Sequence, residues 1–147
     1  MMNYSPKSLL LVTVQMTAIL TILATGPWVA RFPLYLLLEV LGGGIGVWAL
    51  FVMRRGSFNI FPDVNAHGHL VNHGPYRWIR HPMYLAVLLV TGALVGTAFT
   101  PIRLLVWAIL CVDIWVKMAH EEQLLRRHYA TYAIYQQQTK RIIPYLY

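Results

Sequence analysis

Charged residues, and acidic residues in particular, are scarce in this chain. Only 12% of its 147 residues are charged, and five of them are acidic, whereas 58% are hydrophobic. A typical soluble domain is about 25% charged, and a chain of this length cannot bury so much apolar surface in one core. The composition therefore excludes an ordinary soluble domain and predicts a membrane protein.

Cysteine is almost absent, which limits both disulfides and metal sites. The single Cys111 excludes an intrachain disulfide. Three histidines, His67, His69 and His73, lie close together in the sequence. Zinc sites usually add cysteine or a pair of histidines one helical turn apart, and neither accompanies these three residues. We therefore predict no metal ion.

Four long apolar runs are present, and charge is nearly absent from each. A membrane-spanning helix needs about 20 mainly apolar residues. The first and third runs are free of charged residues, the second contains only Glu39, and the fourth, counted from Leu104, contains only Asp113 and Lys117. We predict an all-α polytopic membrane protein with one domain, residues 1–147. Its predicted parts are spans at 8–30, 32–53, 82–100 and 101–119, a loop at 54–81, and a helix and tail at 120–147.

The basic residues predict the orientation, because cytoplasmic loops of membrane proteins are enriched in lysine and arginine. Only Arg31 and Arg103 of the twelve basic residues fall in the loops on one side. The other ten place both termini, the 54–81 loop and the 120–147 segment in the cytoplasm. Basic residues that flank spans are not a separate basic domain, so we expect membrane lipids as partners and no nucleic acid.

The second apolar run contains "GGGIG", residues 42–46. Glycines that cradle phosphate follow a strand and open a helix, whereas these lie inside an apolar helix. Gly42 and Gly46 have the spacing that lets two helices approach closely. We predict that they pack against a neighbouring helix.

Polar residues in the fourth run form a stripe. Asp113, Lys117 and Glu121 are spaced by four residues and share one helix face, with Glu122 beside them. The stripe is either a chain of salt bridges at a helix end or a polar wall inside the bundle, since ionisable groups at membrane depth usually face the interior. If the third and fourth runs are antiparallel neighbours, "RHP" (residues 80–82) and "EE" (residues 121–122) lie at the same level.

Two motifs carry a family resemblance. "GPYRWIRHPMYLA", residues 74–86, is followed by "EEQLLRRHYATY", residues 121–132, and then by "KRIIP", residues 140–144. This pattern, over residues 56–144, resembles the isoprenylcysteine carboxyl methyltransferase family and its phospholipid N-methyltransferase relatives. The resemblance implies an integral membrane methyltransferase that uses S-adenosylmethionine and acts on a lipophilic substrate at the membrane interface. In this fold the cytoplasmic loop and the C-terminal helix form the cofactor pocket.

The resemblance also implies roles for individual residues. Glu121 matches the glutamate that meets the cofactor, with Glu122 as the competing candidate. Lys117 matches a basic residue that contacts substrate, and Glu122 or His120 could take a proton from an amine acceptor. The other expected cofactor-binding residues are Leu70, Val71, Tyr76, Arg80, His81, Pro82 and Tyr84.

The acceptor is left open by the sequence. Lys117 stands where the isoprenylcysteine enzymes have an arginine, and lysine cannot form the bidentate pair that arginine makes with a carboxylate. The candidates are an isoprenylcysteine-type carboxylate, a phospholipid amine or another apolar nucleophile. A catalytically silent scaffold or sensor that keeps the pocket is the alternative. Membrane sterol reductases share the C-terminal architecture, but the EE pair favours the methyltransferases.

Overall fold

The structure is a computed structural model that describes residues 5–53 and 70–143, and these are helical apart from short connections. No β-strand occurs within these two segments, and the all-α prediction is confirmed. A single 3-10 turn, Gly74–Arg77, precedes the third helix. The α-helices are α1 (Pro6–Ala24), α2 (Pro33–Met53), α3 (Pro82–Thr97), α4 (Pro101–His128) and α5 (Tyr132–Gln138).

Proline marks the start of each of the four long helices. A proline in the first turn costs no hydrogen bond, because the first amides of a helix have no partner within it. Side chains cap two of these starts. The Ser5 hydroxyl accepts from the Ser8 amide at 3.1 Å, and the Thr100 hydroxyl accepts from the Arg103 amide at 3.2 Å. The sequence therefore encodes these helix starts locally.

Two of the described helices, α1 and α2, are long and apolar enough to cross a membrane. Helix α3 is apolar but has 16 residues, and α4 has 28 residues with charged side chains in its second half. At about 1.5 Å per residue, α4 is about 42 Å long, which exceeds the hydrocarbon thickness of about 30 Å. The count of four spans stays a prediction.

Several helix ends differ from the expected ones. Helix α1 ends at Ala24 rather than near residue 30, because Gly26 and Pro27 follow and cannot continue it. The helix predicted within residues 120–147 is instead the last two turns of α4 followed by α5. The two are separated at Tyr129, whose backbone is extended. This break allows α5 to fold back towards α4, where the two helices make contact.

The helices associate in pairs, with α1 against α4 and α2 against α3. The two pairs meet in an apolar core of buried side chains from α1, α3 and α4. Its members are Ala18, Ile22, Leu94, Val95, Leu110, Ile114 and Met118.

Glycines of α2 make the close contact with α3. A Cβ atom on Gly42 would lie 2.9 Å from Leu89 Cβ, and one on Gly46 would lie 3.2 Å from Ala86 Cβ. The intervening Gly43 has nothing within 4 Å. The predicted packing role of Gly42 and Gly46 is confirmed, and a Cβ atom on Gly42 would require the two helices to shift.

Arg103 fixes the end of the bundle where α3 ends and α4 begins. It belongs to the first turn of α4 and is buried, rather than lying in a loop as the sequence suggested. Its guanidinium donates to the carbonyls of Ile22 at 2.9 Å and Leu94 at 2.8 Å, and to the Thr25 hydroxyl at 3.0 Å. One side chain thus satisfies helix-end carbonyls on both α1 and α3.

Candidate active site

The RHP corner is held by the C-terminal tail. Residues Ile79 and Lys140 form a parallel β-bridge. The Arg80 amide donates to the Lys140 carbonyl at 2.8 Å, and the His81 amide donates to the Arg141 carbonyl at 3.1 Å. These bonds hold the tail beside the start of α3. The Arg141 side chain of the tail then reaches Glu122 on α4.

Glu122 is the centre of a buried polar network. Its side chain is 3% exposed, and its Oε1 accepts from Arg80 Nε at 2.9 Å and from Arg141 Nε at 3.2 Å. His81 Nε2 lies 3.2 Å from the same oxygen. Oε2 accepts from Arg141 Nη2 at 2.7 Å and from Gln136 Nε2 at 3.3 Å. This carboxylate therefore joins α4 to the RHP corner, α5 and the tail.

The protonation state of Glu122 follows from those contacts. Burial acts to raise the pKa of the carboxyl group, but hydrogen bonds from His81, Arg141 and Arg80 together outweigh it and hold the pKa well below its usual range. Glu122 is therefore ionised at neutral pH, and its charge is matched by two guanidinium groups.

Arg80 extends the same hydrogen-bond network from Glu122 to the end of α5. Its Nη1 donates to the Gln136 carbonyl at 3.2 Å and to the Thr139 carbonyl. These are the carbonyls left unpaired at the end of α5, which arginine side chains commonly satisfy. The Thr139 hydroxyl in turn donates to the Tyr135 carbonyl at 2.7 Å. The end of α5 is thereby fixed to the corner before α3.

Glu121 has a different environment from its neighbour. Its side chain is 27% exposed, and its Oε2 accepts from the Tyr84 hydroxyl at 3.0 Å. His81 Nδ1 lies 3.8 Å from the same oxygen. The other carboxylate oxygen, Oε1, has no hydrogen-bond or ion-pair partner among the residues that the structure describes. Of the two glutamates, Glu121 is the one that can receive a further donor.

His81 and Tyr84 lie between the two glutamates. The His81 ring is buried, faces Glu122 with Nε2 and Glu121 with Nδ1, and stacks on Tyr84 with 5.4 Å between ring centroids. On the Tyr84 ring, Lys117 Nζ lies 5.4 Å from the centroid. Both rings are thus fixed by packing, and the Tyr84 hydroxyl is directed at Glu121.

Lys117 lies in the bundle interior, one turn from Glu121 along α4. It is 1% exposed, and its Nζ donates to Gln15 Oε1 on α1 at 2.7 Å. Asp113, a further turn along, is 6% exposed. In the described part of the chain no ion pair within 4 Å joins Asp113, Lys117 and Glu121. The stripe is therefore an interior polar wall and not a chain of surface salt bridges.

The remaining expected cofactor-binding residues lie just before α3. Tyr76 is buried in the 3-10 turn, where its hydroxyl donates to Met53 Sδ at 3.6 Å and its carbonyl accepts from the Tyr135 hydroxyl at 2.7 Å. Burial, with the charge of Glu121 adding to it, raises the pKa of Tyr76 far above its usual range. Pro82 is buried as the first residue of α3. Residues 70–71, Leu70 and Val71, are half-buried and precede the turn.

Sequence reasoning missed several members of this site. Gln15 on α1 is the partner of Lys117, and Gln136 and Arg141 are partners of Glu122. Arg141 was noticed only as part of the "KRIIP" motif. No spacing rule could find these partners, because they come from segments far apart in the sequence and are brought together by packing.

The metal prediction can be compared with only part of the chain. His67 and His69 lie outside the described residues, and His73 is exposed. Among residues 5–53 and 70–143, no group of three histidine, cysteine, aspartate or glutamate side chains could hold a metal ion. The prediction for the three histidines stays untested.

Comparison with known proteins identifies the family of the chain. No curated protein matches the chain. A family model described as phospholipid methyltransferase matches residues 30–132, which is more than half of the chain. The matched segment contains α2, α3, the RHP corner and the EE pair, and membership of this family indicates a methyltransferase. The chain therefore belongs to the phospholipid methyltransferase family.

Proposed function

We propose that the protein is a membrane-embedded, S-adenosylmethionine-dependent methyltransferase, similar to isoprenylcysteine carboxyl methyltransferases, that methylates a lipophilic substrate at the membrane interface. The observation that carries the proposal is the asymmetry of the EE pair. Both carboxylate oxygens of Glu122 accept hydrogen bonds from neighbouring side chains, whereas Glu121 keeps one carboxylate oxygen for a ligand beside Tyr84 and His81. The family match supplies the reaction class.

The residues present fit the proposed cofactor. S-adenosylmethionine carries an ammonium group, and a partly exposed carboxylate with an unpaired oxygen is the partner that such a group needs. Glu121 fills this role, and the Tyr84 hydroxyl fixes its orientation. Tyr76, His81 and Pro82 form the adjoining wall, with the backbone of residues 70–71 and the Arg80 corner completing the binding set. When bound, the cofactor supplies an already activated methyl group, so the protein mainly positions the reactants and excludes water.

Glu122 acts by positioning. A proton acceptor works best when its pKa is near the working pH, and hydrogen bonds keep the pKa of Glu122 far below that. Its two oxygens are also occupied by the arginines, His81 and Gln136. The expected catalytic role of Glu122 is therefore replaced in this proposal by one of holding Arg80 and His81 in place.

Lys117 orients the methyl acceptor. It lies in the protein interior on the same face as Glu121, and it holds its ammonium group between Gln15 and the Tyr84 ring. An ammonium group has three donors, so Lys117 can keep these contacts and still donate to an oxygen of the acceptor. Lys117 precedes Glu121 by one turn of α4, which supports an acceptor contact on the bilayer side of Glu121.

The family description supports a second acceptor. A phospholipid ethanolamine N-methyltransferase would use the same cofactor residues with an amine acceptor, and the matching family model is the phospholipid one. A silent scaffold or sensor would bind the cofactor without turnover. The proposed location is a multi-pass membrane protein with both termini and the active site in the cytoplasm. The ten-to-two distribution of basic residues supports this orientation.

Two measurements test the proposal. Purified protein in lipid nanodiscs is incubated with S-adenosylmethionine labelled in its methyl group and a membrane lipid extract, and the product is identified by mass spectrometry. We expect a methylated lipophilic product, whose mass and fragments distinguish an ester from an N-methyl amine. Calorimetry on chelator-treated protein should show binding of the demethylated cofactor. Binding without turnover on any extract would support the scaffold, and no binding at all would refute the proposal.

A further inference from the structure

One polar side chain of α1 makes its hydrogen bond to another helix. Thr13 and Thr21 donate their hydroxyl groups to carbonyls one turn back within α1, so the helix itself satisfies them. Gln15 lies between them in the sequence and is half-buried. Its Oε1 accepts from Lys117 Nζ of α4 at 2.7 Å. A polar group inside an apolar bundle is costly unless it is paired, and this contact gives both side chains a partner.

Lys117 also has a competing partner on its own helix. Asp113 lies one turn before it, and the buried Oδ2 of Asp113 has no hydrogen-bond partner among the described residues. The two charges attract each other, yet no ion pair within 4 Å joins them. Helix geometry favours such a pair, because long side chains lean back towards the helix N-terminus. An acidic residue four positions before a basic one is also the better order. The ammonium group must therefore be held away from Asp113.

Gln15 and Tyr84 hold it from outside α4. Gln15 accepts one donor of the ammonium group, and the Tyr84 ring centroid lies 5.4 Å from Nζ. Both partners are uncharged, so these contacts leave the positive charge of Lys117 unpaired, whereas an ion pair with Asp113 would neutralise it. An ammonium group has three donors, and the contact with Gln15 uses one of them. Lys117 thus keeps both its charge and further donors for a ligand.

We propose that Gln15 is a positioning residue for the methyl acceptor, because it holds the Lys117 ammonium group beside Tyr84 and away from Asp113. The inference rests on the proposed function, in which Lys117 orients the acceptor. Both candidate acceptors carry an oxyanion, a carboxylate in an isoprenylcysteine and a phosphate in a phospholipid. A cation held by uncharged partners can pair with either of them. Since the family match begins at residue 30, α1 adds this role to the matched segment.

The position of Lys117 is measured first, without substrate or cofactor. The chain has three lysines, so protein made with isotope-labelled lysine in phosphatidylcholine nanodiscs gives a simple NMR spectrum, in which Lys117→Arg identifies the Lys117 signal by removing it. The Tyr84 ring should shift the signal of the Lys117 Cε methylene group. Gln15→Met keeps the length of the side chain and removes the acceptor oxygen, so it should abolish this shift. Thr17→Val, a polar-to-apolar change at an exposed position of α1, should preserve it. An unchanged Lys117 signal in Gln15→Met would overturn the proposal.

Kinetics then test the consequence for the acceptor. The two acceptors are N-acetyl-S-farnesylcysteine and phosphatidylethanolamine, each supplied with S-adenosylmethionine. Gln15→Met should raise the acceptor KM about tenfold, which corresponds to about 1.4 kcal/mol, and should leave affinity for the demethylated cofactor nearly unchanged. Thr17→Val should alter neither quantity. An unchanged KM would contradict the proposal. A loss of cofactor affinity would also contradict it, because Lys117 would then have turned to Glu121.

A second substitution separates positioning from packing. Adding Asp113→Asn to Gln15→Met removes the charge that attracts Lys117, so the NMR shift and the KM should return part of the way to their wild-type values. A purely structural role predicts no such return. If Gln15→Met does not fold, Gln15→Asn, whose amide is one methylene group shorter, replaces it with the same expectations. Absence of turnover by the wild type with both acceptors would count against the proposed function, whereas the lysine signal reports separately whether Gln15 positions Lys117.

Discussion

Replacing Glu122 by glutamine tests whether the two adjacent glutamates have different roles. The change keeps the size of the side chain and removes its charge. It leaves the guanidinium groups of Arg80 and Arg141 in a site that is nearly closed to solvent, since the Glu122 side chain is 3% exposed and that of Arg80 is 9% exposed. It also turns one acceptor oxygen into a donor that faces other donors.

The size of the effect follows from this burial. Removing one partner of a buried ion pair costs about 3–5 kcal/mol. For a chain of about 150 residues, 1 kcal/mol shifts the melting temperature by about 2–4 °C. Glu122→Gln should therefore lower the melting temperature by about 6 °C or more. Because Arg80, His81 and the tail are all held through Glu122, cofactor binding should weaken together with stability.

Glu121→Gln is the matched control, since it makes the same chemical change one residue earlier. The Glu121 side chain is 27% exposed and accepts one hydrogen bond shorter than 3.5 Å, from Tyr84. Such a hydrogen bond contributes about 1 kcal/mol, so the melting temperature should fall by only about 2–4 °C. If Glu121 holds the ammonium group of the cofactor, losing that pair costs about 2–5 kcal/mol, and affinity should fall at least tenfold.

The assay measures both quantities on both variants. Thermal unfolding is followed by tryptophan fluorescence in detergent, and affinity for the demethylated cofactor is measured by calorimetry at a temperature where all proteins are folded. The expected pattern is a large loss of stability for Glu122→Gln and a selective loss of affinity for Glu121→Gln. Equal melting temperatures for the two variants, or unaltered affinity in Glu121→Gln, would refute the division of roles.

Three further predictions come from other parts of the molecule. The pKa of Glu122 is lowered in the folded protein, so its carboxylate stabilises the fold fully above the unfolded-state pKa of about 4.3. This stabilisation is lost as the pH falls below that value. The melting temperature should therefore decline less steeply between pH 6 and pH 3 in Glu122→Gln than in the wild type. Gly42→Ala should lower the melting temperature, because its Cβ would lie 2.9 Å from Leu89 Cβ, whereas Gly43→Ala should not, because nothing lies within 4 Å; a stable Gly42→Ala protein would contradict the close packing. Lys117→Met should raise the KM for the lipid substrate and leave cofactor affinity nearly unchanged. A lower melting temperature with an unaltered substrate KM and an unaltered cofactor affinity would show that Lys117 has only a structural role.

Local features of the sequence predict much of the fold. The prolines at residues 6, 33, 82 and 101 mark the helix starts, and the spacing of Gly42 and Gly46 indicated the face that packs on α3. Helix ends were less predictable. The chemical change from apolar to charged residues near 120 does not interrupt α4, because charged residues such as glutamate and arginine are good helix formers.

The division of labour between Glu121 and Glu122 could not be read from the sequence. Adjacent residues on a helix point about 100° apart, so only packing decides which one faces the interior. Here Arg141 forms an ion pair with Glu122 and so makes Glu122 the structural member of the two. Arg141 belongs to the C-terminal tail, whose position the helix pattern does not predict. The motif could show that two glutamates reach the RHP corner, but not which of them stays available to a ligand.

Helix α1 shows why the family pattern alone does not describe this site. The family match begins at residue 30, yet Gln15 on α1 accepts the hydrogen bond of Lys117. A buried ammonium group needs a partner, and without α1 Lys117 would lose the acceptor that lies 2.7 Å away. Lys117, which we propose to orient the methyl acceptor, is thus held by a helix outside the matched segment. Since Lys117 donates to Gln15 of α1, we expect changes at Gln15 to alter the proposed choice of acceptor while leaving the proposed cofactor contact of Glu121 intact.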